Sequence, residues 1–246
     1  MMMVRFASAA LVLALMLPTC ASANHIDFIE DDSIPGNGVT NATFSLSTSG
    51  PLVTNTQVGE PADILGGSRT VTLTRTGGFG GAISAQKVAG TSFINVENGN
   101  VAAGTLVLSY PGISNSNFAS LWNAIAVDIP YLDQNSGIGD GEINLSVTVT
   151  SSAGSGTAFA DGTGLAPGRI EDAGVFFFPF TDPGFASVDF SDVDGVSVTF
   201  ETAIIGSDFQ IGEITREVIV PEPATLGLMA IAGIAGAIVR RRRRTA

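Results

Sequence analysis

Apolar and polar residues alternate with a period of two at many points between residues 44 and 200. Phe44-Ser-Leu46-Ser, Val71-Thr-Leu73-Thr, Ile143-Asn-Leu145-Ser-Val147-Thr-Val149-Thr and Val196-Ser-Val198-Thr-Phe200 each put their apolar side chains on one face. Such alternation marks a strand with one face on a core and the other in water. Turn-forming clusters separate these runs: Pro35-Gly36-Asn37-Gly38, Gly77-Gly78, Asn98-Gly99-Asn100 and Asp161-Gly162-Thr163-Gly164. Asp194-Gly195, between Val188-Asp-Phe190 and Val196-Ser-Val198, reads as a hairpin turn. No long helical period competes; Asn117 to Ile125 reads as one short helical turn or a strand. Ser151 to Gly156 reads as a flexible loop, and Phe176-Phe-Phe-Pro-Phe180 as core or as an edge strand capped by Pro179. Many short strands with Gly-rich turns predict an all-β body, an antiparallel β-sandwich of the jelly-roll kind. Nothing marks an internal boundary, so residues 24–219 are expected to form one domain.

Two segments break the pattern. Near the start, Arg5 is followed by an apolar run from Ala9 to Leu17, then Pro18 and the small-x-small triplet Ala21-Ser22-Ala23. This is the layout of a secretory signal peptide over residues 1–23, cut by signal peptidase after Ala23. The run is too short for a stable membrane anchor. A lipoprotein signal ending at Cys20 is a poorer fit, because Pro18 and Thr19 are unusual just before a lipid-modified cysteine.

The second segment reads Val220-Pro221-Glu222-Pro223-Ala224-Thr225, continues without charge to Val239, and closes on Arg240, Arg241, Arg242, Arg243 and Arg244. Sixteen residues from Ala224 to Val239 would span roughly 24 Å as a helix, against a hydrocarbon layer of roughly 30 Å. Snorkelling arginines and local thinning close such a gap, and five arginines stay cytoplasmic by the positive-inside rule. Pro221 and Pro223 deny the motif helix and ladder hydrogen bonds, so it should be extended and open to a protease. Apolar helix and arginines alone would also suit an ordinary membrane anchor. The order Pro-Glu-Pro, marginal helix and Arg cluster resembles the PEP-CTERM sorting signal read by exosortases. That resemblance covers residues 220–244 and implies a precursor held in the inner membrane until an exosortase cuts near Pro221-Glu222-Pro223-Ala224. It further implies release to the cell surface or extracellular matrix, where exopolysaccharide is a partner. Asp63-Ile-Leu-Gly66-Gly67-Ser-Arg69 is similar to a Gly-Gly-x-Arg stretch of secreted bacterial β proteins with this tail. A tight turn feeding a strand, with Arg69 paired to a carboxylate, is its expected structural meaning.

Charge narrows the function classes. Residues 24–223 hold all 23 carboxylates and only Arg69, Arg75, Lys87, Arg169 and Arg216 as cations, a net charge of −18. Such a body is repelled by nucleic acid and by anionic lipid. Its one cysteine, Cys20, lies in the signal segment, so the body has neither a disulfide nor a thiolate metal site. His25 is the sole histidine, placed two residues into the mature chain, where a catalytic or zinc role is a poor expectation. Phosphate-binding and dinucleotide fingerprints are absent.

Carboxylates on turns suit a hard cation. Asp189, Asp192 and Asp194 form a candidate calcium site, though without EF-hand spacing, and a solvated acidic loop is the simpler reading. Two readings of the body stay open. One is a non-catalytic surface or matrix module with no catalytic residues and no cofactor beyond that candidate calcium. The other is a lectin-like sandwich that binds or cleaves carbohydrate, for which Tyr110, Trp122 and Tyr131 should converge on a groove beside a carboxylate pair.

Overall fold

A computed structural model describes residues 24–27, 29, 44–50, 52–58, 64–78, 81–88, 91–99, 102–133, 143–160, 168–202 and 206–219. In chain order the strands are β1 (His25–Asp27), β2 (Phe44–Thr48), β3 (Val53–Val58), β4 (Ser68–Gly78), β5 (Ile83–Lys87) and β6 (Ile94–Asn98). There follow β7 (Ala102–Tyr110), β8 (Ala124–Ile129), β9 (Tyr131–Leu132), β10 (Ile143–Ser151) and β11 (Gly154–Phe159). The last are β12 (Arg169–Ile170), β13 (Gly174–Pro179), β14 (Val193–Thr202), β15 (Phe209–Ile211) and β16 (Ile214–Glu217), with a 3-10 turn at Pro183–Phe185.

All three sheets are antiparallel. The largest runs β11-β10-β14-β7-β4-β3, with β12 paired to the start of β10; a five-stranded sheet runs β2-β5-β6-β15-β9 and a four-stranded sheet β1-β16-β8-β13. The alternation seen in the sequence becomes cross-strand rows on the large sheet. Leu73, Leu106, Phe200 and Leu145 face one another in register, as do Val71, Leu108, Val198 and Val147. These side chains are buried, and they join Ile83 and Val96 of the five-stranded sheet and Ile125 and Val127 of the four-stranded sheet in one apolar core. Burying each such side chain contributes about 1.5–3 kcal/mol. The result is a β-sandwich whose large sheet is covered by two smaller ones. On the outer face of the large sheet, hydroxyls pair across strands: Thr148 with Thr157 at 2.8 Å and Ser197 with Ser109 at 3.1 Å.

Three local readings change. Asp194-Gly195 is not a hairpin turn: both residues lie inside β14, at an irregularity where Thr150 faces Gly195 and Ser151 faces Val193. Residues 188–190 make no strand. Ser151 to Gly156 is not a loose loop but the hairpin between β10 and β11, paired from Ser151–Gly154 onward. Asn117 to Ile125 divides, its first part irregular and its end, Ala124 and Ile125, opening β8. Phe176 to Pro179 belong to β13, which among the described residues is an edge strand paired to β8.

Gly66 and Gly67 turn the chain with φ of +82° and +71°, and the Gly67 amide donates to the Ile64 carbonyl at 2.7 Å. Glycine is required at 66 for a second reason: a β-carbon there would lie 2.2 Å from the Gly112 carbonyl carbon. The turn delivers Arg69 onto the inner face of β4, in line with Val71 and Leu73. Inside the core its Nη1 donates to Asp27 Oδ2 at 2.5 Å, and its Nε and Nη2 donate to Gln57 Oε1 at 2.9 and 2.5 Å. Tyr110 Oη donates to the same Asp27 oxygen at 2.7 Å. Four buried polar side chains from β1, β3, β4 and β7 thus meet, and the Asp27–Arg69 pair ties the four-stranded sheet to the large one. Asp27 Oδ1 has no hydrogen-bond partner among the described residues. Burial, with the Asp27 charge beside it, holds the Tyr110 hydroxyl well above its ordinary value of 10.

Candidate functional site

The described chain leaves the body through the four-stranded sheet. β16 sits between β1 and β8, so the last strand of the body has neighbours on both sides. His25 faces Thr215, and the Arg216 amide donates to the Asn24 carbonyl at 2.6 Å. Asn24 Nδ2 donates to Glu217 Oε1 at 3.3 Å, and Thr215 Oγ1 donates to the same oxygen at 3.0 Å. Asn24, the first residue after the expected signal cleavage point, therefore adjoins the end of β16. Arg216 turns away from the outer face, its guanidinium 3.9 Å from the Trp122 ring centroid and 5.0 Å from that of Phe118. Desolvation lowers its pKa to about 10, which leaves it charged at neutral pH.

Beyond Glu217, among the described residues, Asn123 holds the chain. Asn123 Oδ1 accepts from the Ile219 amide at 2.6 Å, and Asn123 Nδ2 donates to the Ile219 carbonyl at 2.8 Å. The backbone of Asn123 is itself fixed: its amide donates to the Glu217 carbonyl at 2.9 Å, and its carbonyl accepts from the Phe180 amide at 2.8 Å.

Beside this exit, the outer face of the same sheet forms an open groove of about 390 Å³. Register explains its shape. Phe177 of β13 and Thr215 of β16 stand on either side of Ala126 of β8, whose methyl group leaves a low floor between taller neighbours. Val175 and Phe177 are each about half exposed, at 52% and 50%. Asp128, Glu213 and Glu217 bring carboxylates to the groove, with Val218 and Ile219 closing the exit side. Burial pushes the Asp128 carboxyl above its ordinary 3.8. His25 Nδ1 lies 3.5 Å from Glu213 Oε2. This lining offers hydrogen-bond acceptors next to an aromatic face, a combination that receives hydroxyl donors and an apolar ring face together.

The three aromatic candidates do not converge. Tyr110 is fully buried in the Asp27–Arg69 cluster, Trp122 lies under Arg216, and Tyr131 is on β9 in the five-stranded sheet. Phe177 is the ring that reaches the groove, and alternation on β13 was the signal that could have found it. Asp189, Asp192 and Asp194 each make separate contacts. Asp189 Oδ1 accepts from the Ser191 amide and hydroxyl, which lowers its pKa; Asp192 Oδ2 accepts from Ser152 Oγ at 2.5 Å; Asp194 Oδ1 accepts from the Asn115 amide at 3.3 Å. Among the described residues no three His, Cys, Asp or Glu side chains are grouped so as to hold a metal ion, and no helix is long and apolar enough to cross a membrane. Ala21, Ala23, Pro221, Glu222, Pro223, Ala224 and Arg240 to Arg244 lie outside the described residues, as does the expected sorting helix.

Comparison with solved structures finds similarity to the family 11 carbohydrate-binding module of the cellulosomal cellulase Lic26A-Cel5E of Clostridium thermocellum, at 15% identity and TM-score 0.33 over 80% of this chain and 96% of that one. The family 11 module of the same organism in complex with a β-1,3-1,4-mixed-linked tetrasaccharide gives 13% and 0.31 over 79% and 97%. The enzymatically active domain of bacteriophage CBA120 tailspike protein 4 gives 11% and 0.28, over 79% of this chain and 22% of that one. Comparison with curated proteins gives no match. Among protein families, the PEP-CTERM protein-sorting motif matches residues 220–244. One residue beyond the Asn123 contact, therefore, the chain carries a PEP-CTERM protein-sorting motif.

Proposed function

We propose that the chain is the precursor of an exported cell-envelope protein in three parts. Residues 1–23 are a signal peptide removed by signal peptidase, residues 24–219 a jelly-roll-like sandwich, and residues 220–244 a sorting signal. The apolar helix of that signal and Arg240 to Arg244 hold the precursor in the inner membrane. An exosortase then cuts near Pro221-Glu222-Pro223 and passes the body to the surface or extracellular matrix. The observation that carries this reading is the match to the sorting motif over residues 220–244, beginning directly after Ile219. The body is a non-catalytic surface or matrix module; its strong acidity supports solubility outside the cell and repulsion from anionic membrane. Replacing Pro221, Glu222 and Pro223 together by alanine tests the sorting role. The triple variant should accumulate uncut in the inner membrane, whereas release at the wild-type level would refute it.

The groove favours a second reading of the body, as a binder of neutral polysaccharide. Sugar hydroxyls would donate to Asp128, Glu213 and Glu217 while a sugar ring face lies on Phe177. Phe177→Ala should then weaken retention on a neutral glucan at least about tenfold, with the fold intact. Equal retention of the two proteins would remove the groove from consideration.

A further inference from the structure

The sorting motif begins one residue after a hydrogen-bonded hold, and that closeness has consequences for any enzyme that must reach it. Proteolysis needs a peptide that can leave its neighbours and lie extended in a cleft. On the C-terminal side of the motif, the uncharged run begins at Ala224. On the N-terminal side, Asn123 fixes the chain up to Ile219 through both polar groups of that peptide unit's residue. Residues 220–223 are all that lie between, and four residues span at most about 14 Å even when fully extended. Behind Ile219 the hold continues without a gap, because Glu217 is bonded to Asn123 and Asn24, and β16 is paired on both edges.

We propose that Asn123 is a positioning residue for the sorting cut: its carboxamide clamps Ile219 to the folded body and limits how much peptide the exosortase can engage. The inference rests on the sorting reading above. The two clamp bonds are exposed to water, so they open and close rapidly while the body stays folded. Under that condition the cutting rate follows the population of the open form. Two net hydrogen bonds at an exposed site favour the closed form by roughly fivefold to tenfold. When the clamp opens, Val218 and Ile219 are no longer tied to Asn123, and two more residues separate the motif from the paired part of β16. β16 remains in place, held by β1 and β8. The clamp therefore acts as a brake on release, and it exists only once β16 and β8 have paired.

The test uses the full-length chain in its own cells and as purified precursor from exosortase-deficient cells, held in detergent. Asn123→Ala removes both bonds. Asn123→Asp keeps an acceptor for the Ile219 amide but sets a carboxylate against the Ile219 carbonyl. Hydrogen exchange of the Ile219 amide should quicken about fivefold or more in Asn123→Ala, and by less in Asn123→Asp. Pulse-chase labelling should show tail removal quickened in the same order and by a similar factor, with the thermal midpoint of the body lowered by no more than about 5 °C. A purely structural role for Asn123 would lower the midpoint without ordering the two rates in this way. Faster exchange at Ile219 with unaltered tail removal would overturn the proposal, as would unaltered exchange. An uncut wild-type tail in exosortase-containing cells would overturn the sorting reading and the brake with it, and is recognised by the failure of the wild type itself.

Discussion

The three residues of β1 connect two regions that are held together in opposite ways. At one end Asp27 is fully buried against Arg69, Gln57 and Tyr110, in a cluster that joins two sheets through charge-assisted bonds away from water. At the other end Asn24, the residue just before the strand, touches Arg216 and Glu217 beside the chain exit, where Asn123 holds Ile219 by bonds that water can replace. A buried charge pair opposes its own loss strongly, because removing one partner strands the other in a medium that cannot solvate it. Exposed amide bonds contribute little net free energy and exchange readily. The contrast teaches that permanence and release are divided along one strand: the cluster commits the sheets to each other, while the exit can loosen without unfolding the body.

Substitutions at the two ends should differ most. Arg69→Ala should destabilise the body by about 3–5 kcal/mol, since it leaves Asp27 buried and unpaired. For a chain of this size that lowers the thermal midpoint by about 6–20 °C, readable by calorimetry. Asn123→Ala should move it by no more than about 5 °C. Equal effects would erase the distinction between the regions.

Tyr110→Phe is the next largest, at about 1–2 kcal/mol, from loss of the bond to Asp27. Because burial raises the folded-state pKa of Tyr110, its protonated form favours the native state. That contribution is fully present below the ordinary value of 10 and is lost as pH rises beyond it. The wild type should therefore lose stability above pH 10 more steeply than Tyr110→Phe in denaturant titrations.

At the exit the corresponding effect is small and of opposite sense at neutral pH. Burial raises the Asp128 carboxyl, so its ionised form slightly disfavours the fold at pH 7, and the penalty fades as pH falls toward 3.8. Asp128→Asn should raise the midpoint a little at pH 7 and leave it unchanged below pH 3.8. The smallest effect is expected from calcium. With Asp189, Asp192 and Asp194 each committed to a different partner, millimolar calcium should shift the midpoint by less than about 1 °C. A larger shift, lost in Asp192→Asn, would restore those carboxylates as a metal site.

Much of the scaffold was legible in the sequence because its strands bury one face, and a half-buried strand must alternate. β4, β10 and β14 follow directly from that rule. Asp194-Gly195 misled because the same dipeptide that makes hairpin turns also fits an irregularity within a paired strand, and only the register with Thr150 and Ser151 distinguishes them. The Gly-Gly-x-Arg stretch pointed correctly to a turn and a paired arginine. Its partner was not legible, since Asp27 lies 42 residues upstream among 23 carboxylates of similar appearance. The groove was hidden for a related reason: its floor is Ala126, a residue with no chemistry of its own, made important only by the heights of Phe177 and Thr215 beside it. Asn123 was not legible either: it lay within a stretch read as a short helical turn or a strand, and the contact that matters reaches 96 positions along the chain. The sorting motif, by contrast, is a linear signal read in order, and order is what a sequence displays.

The central claim is that the two ends are removed and the body between them is delivered. Intact-mass analysis of the protein from its native cells, with and without the exosortase, tests it most directly. A product starting at Asn24 and ending between Pro221 and Thr225, present only when the enzyme is present, is the predicted result. A wild-type product that still carries Arg240 to Arg244 would contradict it and make the tail a permanent anchor.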